Sequence, residues 1–174
     1  LSDSKMYIDD SGNLSVADIR SRCRRQQTRY GLDLVVIDYL GLLQLGNKRG
    51  SLVADIAEAT RALKILAKEL QVSIMLLCQL SRGSESRKEN GYRPILADLR
   101  DSGAIEQDAD MVLLLYRKAL AMRNRKDDSE YGGAPAEEIE DNTAEVIVAK
   151  NRNGPLKTVN LAFQGMFSRF VNPS

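Results

Sequence analysis

Two apolar runs of strand length, Leu34-Val35-Val36-Ile37 and Val72 to Cys78, flank a stretch in which Leu52, Ile56, Leu63, Leu66 and Leu70 recur on one helical face. A strand, a crossover helix and a second strand build a parallel sheet, because strands running the same way cannot be joined by a tight turn. Such a unit also dictates where chemistry can sit. Ligands of open parallel sheets bind beyond the carboxyl ends of the strands, so Asp38 and Gln79, just past the two runs, are the residues to watch.

The remainder of the chain extends this grammar and then changes it. Met6-Tyr7-Ile8 reads as a short strand, and Ser15 as the cap of a helix carrying Val16, Ile19, Cys23 and Tyr30 on one face and Arg20, Arg24 and Arg25 on the other. A polar stretch from Ser81 to Pro94 leads to a short helix within Asp98 to Asp110, and Met111 to Tyr116 is a third apolar run, all three runs being read as buried strands of one parallel sheet. Glu145 to Lys150 and Lys157 to Phe163 then alternate apolar with polar residues around Asn153-Gly154, which predicts a hairpin. The expected fold is α/β, a mainly parallel sheet flanked by helices with a C-terminal antiparallel hairpin. Residues 117–142, polar, first basic and then acidic, are expected to form a mobile loop.

At 174 residues one globular unit is the default, and its core needs neither disulfide nor metal. Cys23 and Cys78 lack ligand spacing and read as reduced core residues, which points to the cytoplasm, as does the absence of a signal-like start or an apolar run of membrane-spanning length. A formal net charge of +1 leaves room only for a local nucleic-acid patch.

Four constellations could carry chemistry. The run ending in Asp38 has the Walker B form, which brings a carboxylate to the sheet edge for Mg²⁺, although a buried strand ending in Asp is common without that role. Gln79 can donate to a phosphate oxygen and accept from an attacking water, or simply satisfy a loop. Lys150 and Arg152, two residues apart at a strand end, can point the same way and suit phosphate charge, or merely flank a turn. Asp98-Leu99-Arg100-Asp101-Ser102-Gly103-Ala104 combines a cation, small residues and a helix start, features that suit a nucleic-acid phosphate, with Arg82, Arg87, Lys88 and Arg93 upstream; Asp98 itself reads as a cap.

These segments resemble, along nearly the whole chain, the bacterial and phage replicative helicases typified by DnaB. The matching stretches are Tyr7 to Asp10, Ile37 to Leu40, Gln79 to Arg82, Leu99 to Asp110 and Lys150 to Pro155. The resemblance implies a RecA-like P-loop NTPase core and a homo-hexameric ring, with ATP and Mg²⁺ at subunit interfaces and single-stranded DNA in the channel. It assigns Asp38 to Mg²⁺ through water, Gln79 to sensing the terminal phosphate, Lys150 and Arg152 to a neighbouring subunit's nucleotide, and Arg100, Asp101 and Gly103 to DNA phosphates. Primase and a helicase loader are the implied partners, and movement from 5′ to 3′ the implied polarity.

The departures from that pattern shape a further expectation. The chain contains no G-x-x-x-x-G-K-[ST] sequence, and the family's catalytic glutamate and helical N-terminal domain have no counterpart in it. It is therefore expected to be the C-terminal part of one motor domain, spanning residues 1–174, inactive alone and exposing an apolar sheet edge that missing strands would cover. The competing readings are a strand-exchange recombinase and a non-catalytic ring or single-stranded-DNA-binding module.

Overall fold

The computed structural model describes residues 5–45, 51–81, 91–123 and 142–173. The chain divides into two compact units, Leu1–Gln79 and Leu80–Ser174.

In the first unit, helix α1 (Val16–Tyr30) begins where the sequence predicts. The Asp18 N–H donates to Ser15 Oγ at 3.2 Å and the Ser15 N–H to Asp18 Oδ2 at 3.0 Å, so cap and first turn satisfy each other's free amides. The helix stops at Gly31, whose φ of +80° lies where a side chain would be strained. Strand β1 (Leu34–Ile37) follows, then helix α2 (Leu52–Leu70) and strand β2 (Ser73–Leu76), which pairs parallel with β1 in the register Leu34↔Ser73 to Ile37↔Leu76. Ile19, Cys23, Ile37, Leu63, Leu66, Leu70 and Val72 form the core of this unit, each aliphatic side chain contributing about 1.5–3 kcal/mol by leaving water. Glu69 fastens the two helices on their solvent side by pairing with Arg20 and Arg24, and Gln27 Nε2 donates to the Leu70 carbonyl at 2.7 Å.

Two expectations fail here. Met6 to Ile8 is extended but forms no strand, and these residues are 56–82% exposed. Tyr7 instead stacks on Tyr30, ring centroids 5.4 Å apart, and Asp9 pairs with Arg22, so the segment is held to α1 by side chains rather than by a ladder. The apolar runs are also not buried on both sides. Val35, Ile37, Ile74 and Leu76 face the helices, while Leu34, Val36, Met75 and Leu77 are 39–54% exposed, because both helices of the unit pack on the same side.

The second unit opens with a 3-10 segment, Leu96–Ser102, running directly into helix α3 (Gly103–Asp108). Asp98, 2% exposed, is not the first residue of the segment as expected: Ile95 holds the N-cap position and its N–H donates to Asp98 Oδ2 at 2.8 Å, so Asp98 caps from the third position. Strand β3 (Met111–Tyr116) does not extend a parallel sheet: it pairs antiparallel with β4 (Thr143–Asn151), which pairs with β5 (Thr158–Gln164) and then β6 (Arg169–Val171). The predicted hairpin is thus β4–β5 within a four-stranded sheet. The segment read as a loop starts instead with a short helix, α4 (Lys118–Arg123), and residues 124–141 lie outside the described residues. Arg117, just before it, lies over the Phe163 ring, 3.5 Å from the centroid. Leu99, Val112 and Leu114 form a core beneath the 3-10 segment, with Leu96, Ala109 and Ile147 packed around it.

Candidate functional site

Parallel pairing of β1 and β2 sets the candidate group of the first unit. Ile37 is opposite Leu76, the Leu77 N–H donates to the Ile37 carbonyl at 3.0 Å, and the Leu40 N–H donates to the Leu77 carbonyl at 2.9 Å. The strands therefore end together, and the exposed side chains of Asp38 and Gln79 emerge at the same carboxyl edge. The turn after Asp38 is tight: a Cβ on Gly41 would lie 2.5 Å from the Tyr39 ring. Among the described residues no group of three or more His, Cys, Asp or Glu could hold a metal ion. One exposed carboxylate at a strand end nevertheless fits Mg²⁺, which keeps most of its waters and takes one or two protein carboxylates together with substrate phosphates.

The candidate group of the second unit is built by an irregularity of β4. Val112 is opposite Lys150 but Leu113 is opposite Val148, so Ala149 is an extra residue, a bulge. Paired residues in an antiparallel ladder share a face. Without the extra residue, Lys150 would point away from Ile147; with it, Lys150 joins Ile147, Val112 and Leu114 on the face where α3 and the 3-10 segment lie. Lys150 Nζ donates to the Glu106 carbonyl and, at 3.4 Å, to that of Gln107. Arg152 follows on the same side: Nη2 donates to the Gln107 carbonyl, Nη1 lies 3.3 Å from Asp110 Oδ1, and its N–H donates to the Asp110 carbonyl at 2.9 Å. Both cations thus converge on the C-terminal end of α3, where unpaired carbonyls and the helix dipole favour positive charge. Sequence reasoning found the pair but missed Asp110 and these carbonyls, which only the bulge brings within reach.

The remaining predicted residues are placed less closely. Arg100 and Asp101 belong to the 3-10 segment and Gly103 opens α3, all three at the start of the helix whose other end holds the cations. Gly103 has ordinary helical angles, φ −50° and ψ −25°, and a Cβ there would meet nothing within 4 Å, so the fold of this chain does not itself demand glycine. Arg82, Arg87 and Lys88 lie outside the described residues. Arg93 is held on the sheet of the second unit. Its Nε donates to Glu145 Oε2 at 2.9 Å and its guanidinium to Thr158 Oγ1 at 3.2 Å, contacts with β4 and β5 that occupy the cation. Cys23 is buried and Cys78 half-buried, both unpaired, and burial pushes their thiol pKa values up, away from reactive thiolates. Among the described residues no helix is long and apolar enough to cross a membrane.

This arrangement has close counterparts in known proteins. The family model described as "DnaB-like helicase C terminal domain" matches residues 1–172. The replicative DNA helicase DnaB of Leifsonia xyli subsp. xyli is 48% identical over 172 residues, which is 99% of this chain and 34% of that protein, so the chain spans about a third of the relative's length. Two solved structures superpose over 99% of the chain at 38% identity: one described as an ATPase domain, with a TM-score of 0.81 and 56% of its own chain covered, and a DnaB-like replicative helicase described with its interactions with primase, with a TM-score of 0.80 and 39% covered. The architecture is accordingly the RecA-like α/β one expected from the sequence, with the antiparallel strands at its C-terminal end. With matching sequence and matching fold, the chain belongs to the family of DnaB-like helicase C-terminal domains.

Proposed function

We propose that this chain is the part of a replicative helicase motor that closes a neighbouring subunit's ATP site and grips single-stranded DNA, within a homo-hexameric cytoplasmic ring. The observation that carries the reading is the convergence of Lys150 and Arg152: an extra residue in β4 brings the two cations side by side at the C-terminal end of α3. Cations so placed can stabilise the charge that develops on a transferred phosphoryl group, which is the principal protein contribution to phosphoryl transfer.

At the carboxyl edge of β1 and β2, Asp38 would hold Mg²⁺ through a water. The ion, when bound, neutralises charge on the β- and γ-phosphates. Gln79, neutral and exposed at the same sheet edge, can donate its amide N–H to a γ-phosphate oxygen while its carbonyl accepts from the attacking water, so its hydrogen bonds change when that phosphate leaves. Arg100 would contact DNA phosphates together with the backbone at Asp101 and Gly103; the open space at Gly103 supports a close approach of another chain. Primase and a loader are proposed as partners of the complete ring. The sequence contains no G-x-x-x-x-G-K-[ST] loop to cradle phosphates, so hydrolysis would need segments outside the matched third of the relatives.

The test is ATP hydrolysis by a full-length helicase carrying this chain, beside the chain alone, with single-stranded DNA added and withheld. Hydrolysis stimulated by DNA in the former and absent from the latter is expected. A correctly assembled full-length ring that hydrolyses nothing would favour the non-catalytic ring.

A further inference from the structure

The two groups of residues with separate proposed jobs, Arg100 to Gly103 on DNA and Lys150 with Arg152 on a neighbour's nucleotide, sit at opposite ends of one short helix. Helix α3 spans Gly103–Asp108, and at 1.5 Å per residue its ends are only about 9 Å apart. Its first residue continues the 3-10 segment without a loop. Its last carbonyls, those of Glu106 and Gln107, accept from Lys150 and Arg152, and Asp110 engages Arg152 by both side chain and main chain. Ile105 in the middle of α3 is buried, so the helix does not stand free.

We propose that Asp110 is a positioning residue for Arg152, and that α3 acts as a strut through which the placement of the DNA-side segment Leu96–Gly103 sets the reach of the two cations. The inference rests on the trans-acting role of Arg152 proposed above. Three kinds of contact support it. The helix's C-terminal carbonyls hold positive charge in its last turn, the Asp110 carboxylate fixes the guanidinium's orientation at 3.3 Å, and the Arg152 N–H to Asp110 carbonyl bond at 2.9 Å ties β4's exit to the chain leaving α3. A shift of α3 along its axis displaces the carbonyls and the carboxylate together, so the cations must follow or lose their anchors. DNA engagement at one end thereby becomes a difference in cation geometry at the other, which is a coupling between two sites through one defined element.

The experiment compares wild type, Asp110→Ala, Asp110→Glu and Arg152→Ala in a full-length helicase carrying this chain, reading kcat and KM for ATP with and without saturating single-stranded DNA. Asp110 is exposed, so ring assembly, checked by light scattering, should survive each change. Asp110→Ala is expected to lower the DNA-stimulated kcat roughly 10- to 100-fold, the cost of a misplaced catalytic group, with KM for ATP unchanged and the ratio of stimulated to basal rate falling towards one. Asp110→Glu, which keeps the carboxylate, should restore most of that ratio. A wild-type stimulation ratio in Asp110→Ala while Arg152→Ala is inactive would overturn the strut and leave the trans role standing. Persistent hydrolysis by Arg152→Ala would overturn both. Failure of Asp110→Glu to rescue, with KM rising alongside the lost kcat, would reduce Asp110 to a structural residue and also contradict the proposal.

Discussion

Arg152 and Asp110 are joined twice, by a guanidinium-to-carboxylate contact of 3.3 Å and by a main-chain hydrogen bond of 2.9 Å. The side chains are each about half exposed, and a pair so open to water adds little to stability. Its value is geometric: it holds a cation in a defined place beside the end of α3, the place from which Arg152 is proposed to act on a neighbouring subunit's ligand.

A DNA-gripping role for the 3-10 segment predicts a particular salt dependence. Arg100→Ala in a full-length helicase carrying this chain should weaken binding of single-stranded DNA and reduce the slope of log K against log salt by about 0.7 per lost phosphate contact in each participating subunit. Fluorescence titrations across a salt series measure this. An unchanged slope would remove Arg100 from the DNA surface.

Stability of the first unit should depend on the seam between its helices and β1. Leu66 is 2% exposed and lies at the centre of that core, so Leu66→Ala should destabilise by about 2–5 kcal/mol, measurable by denaturant unfolding. Ile65 is 54% exposed one position along the same helix, and Ile65→Ala should cost well under ~1 kcal/mol by the same measurement. Equal losses at the two positions would contradict the helix's orientation.

The extended segment before α1 should detach at low pH. Hydrogen bonds from Arg22 and Ser11 lower the Asp9 pKa to about 2, below its ordinary value of 3.8. A carboxylate depressed on folding contributes fully above its unfolded pKa and loses that contribution as pH falls through the folded one. The Asp9–Arg22 tether is therefore expected to be intact above about pH 4 and to be lost progressively towards about pH 2. Because Asp9 is exposed, the effect should be local: the Tyr7–Tyr30 stack should loosen, visible in tyrosine fluorescence or NMR, before the core responds. Asp9→Asn should abolish that step. A Tyr7 environment that stays constant through the same acid titration would contradict the tether.

The elements with a strong hydrophobic period were legible without coordinates, and the failures share a cause. Helices α1 and α2 follow directly from Ile19, Cys23, Leu63, Leu66 and Leu70, and β1, β2 and the β4–β5 hairpin from their apolar runs and turn. Met6 to Ile8 looks like a strand because its side chains favour one, yet a strand exists only where a partner supplies the ladder, and composition does not reveal partners. The three-residue β6 escaped notice for the converse reason: Arg169–Val171 is too short to show a period and is held by pairing with β5 and by Phe170 against Phe163, ring centroids 4.9 Å apart. The site was legible in part. Asp38 and Gln79 follow from where strands end, whereas the hold on Lys150 and Arg152 depends on the extra residue Ala149, which no local pattern of side chains announces.

The most direct measurement is a complementation of inactive subunits. Arg152→Ala removes the cation proposed to serve a neighbour, and Asp38→Asn removes the carboxylate proposed for a subunit's own nucleotide site, so rings made wholly of either variant should not hydrolyse ATP. In rings co-assembled from both, an Arg152→Ala subunit keeps Asp38 and can border an Asp38→Asn subunit that keeps Arg152, which rebuilds complete interfaces. A trans-acting Arg152 predicts that DNA-stimulated hydrolysis returns in the mixed rings. Mixed rings as inactive as their parents, with nucleotide binding and assembly intact, would place Arg152 outside the neighbouring site and contradict the proposed motor.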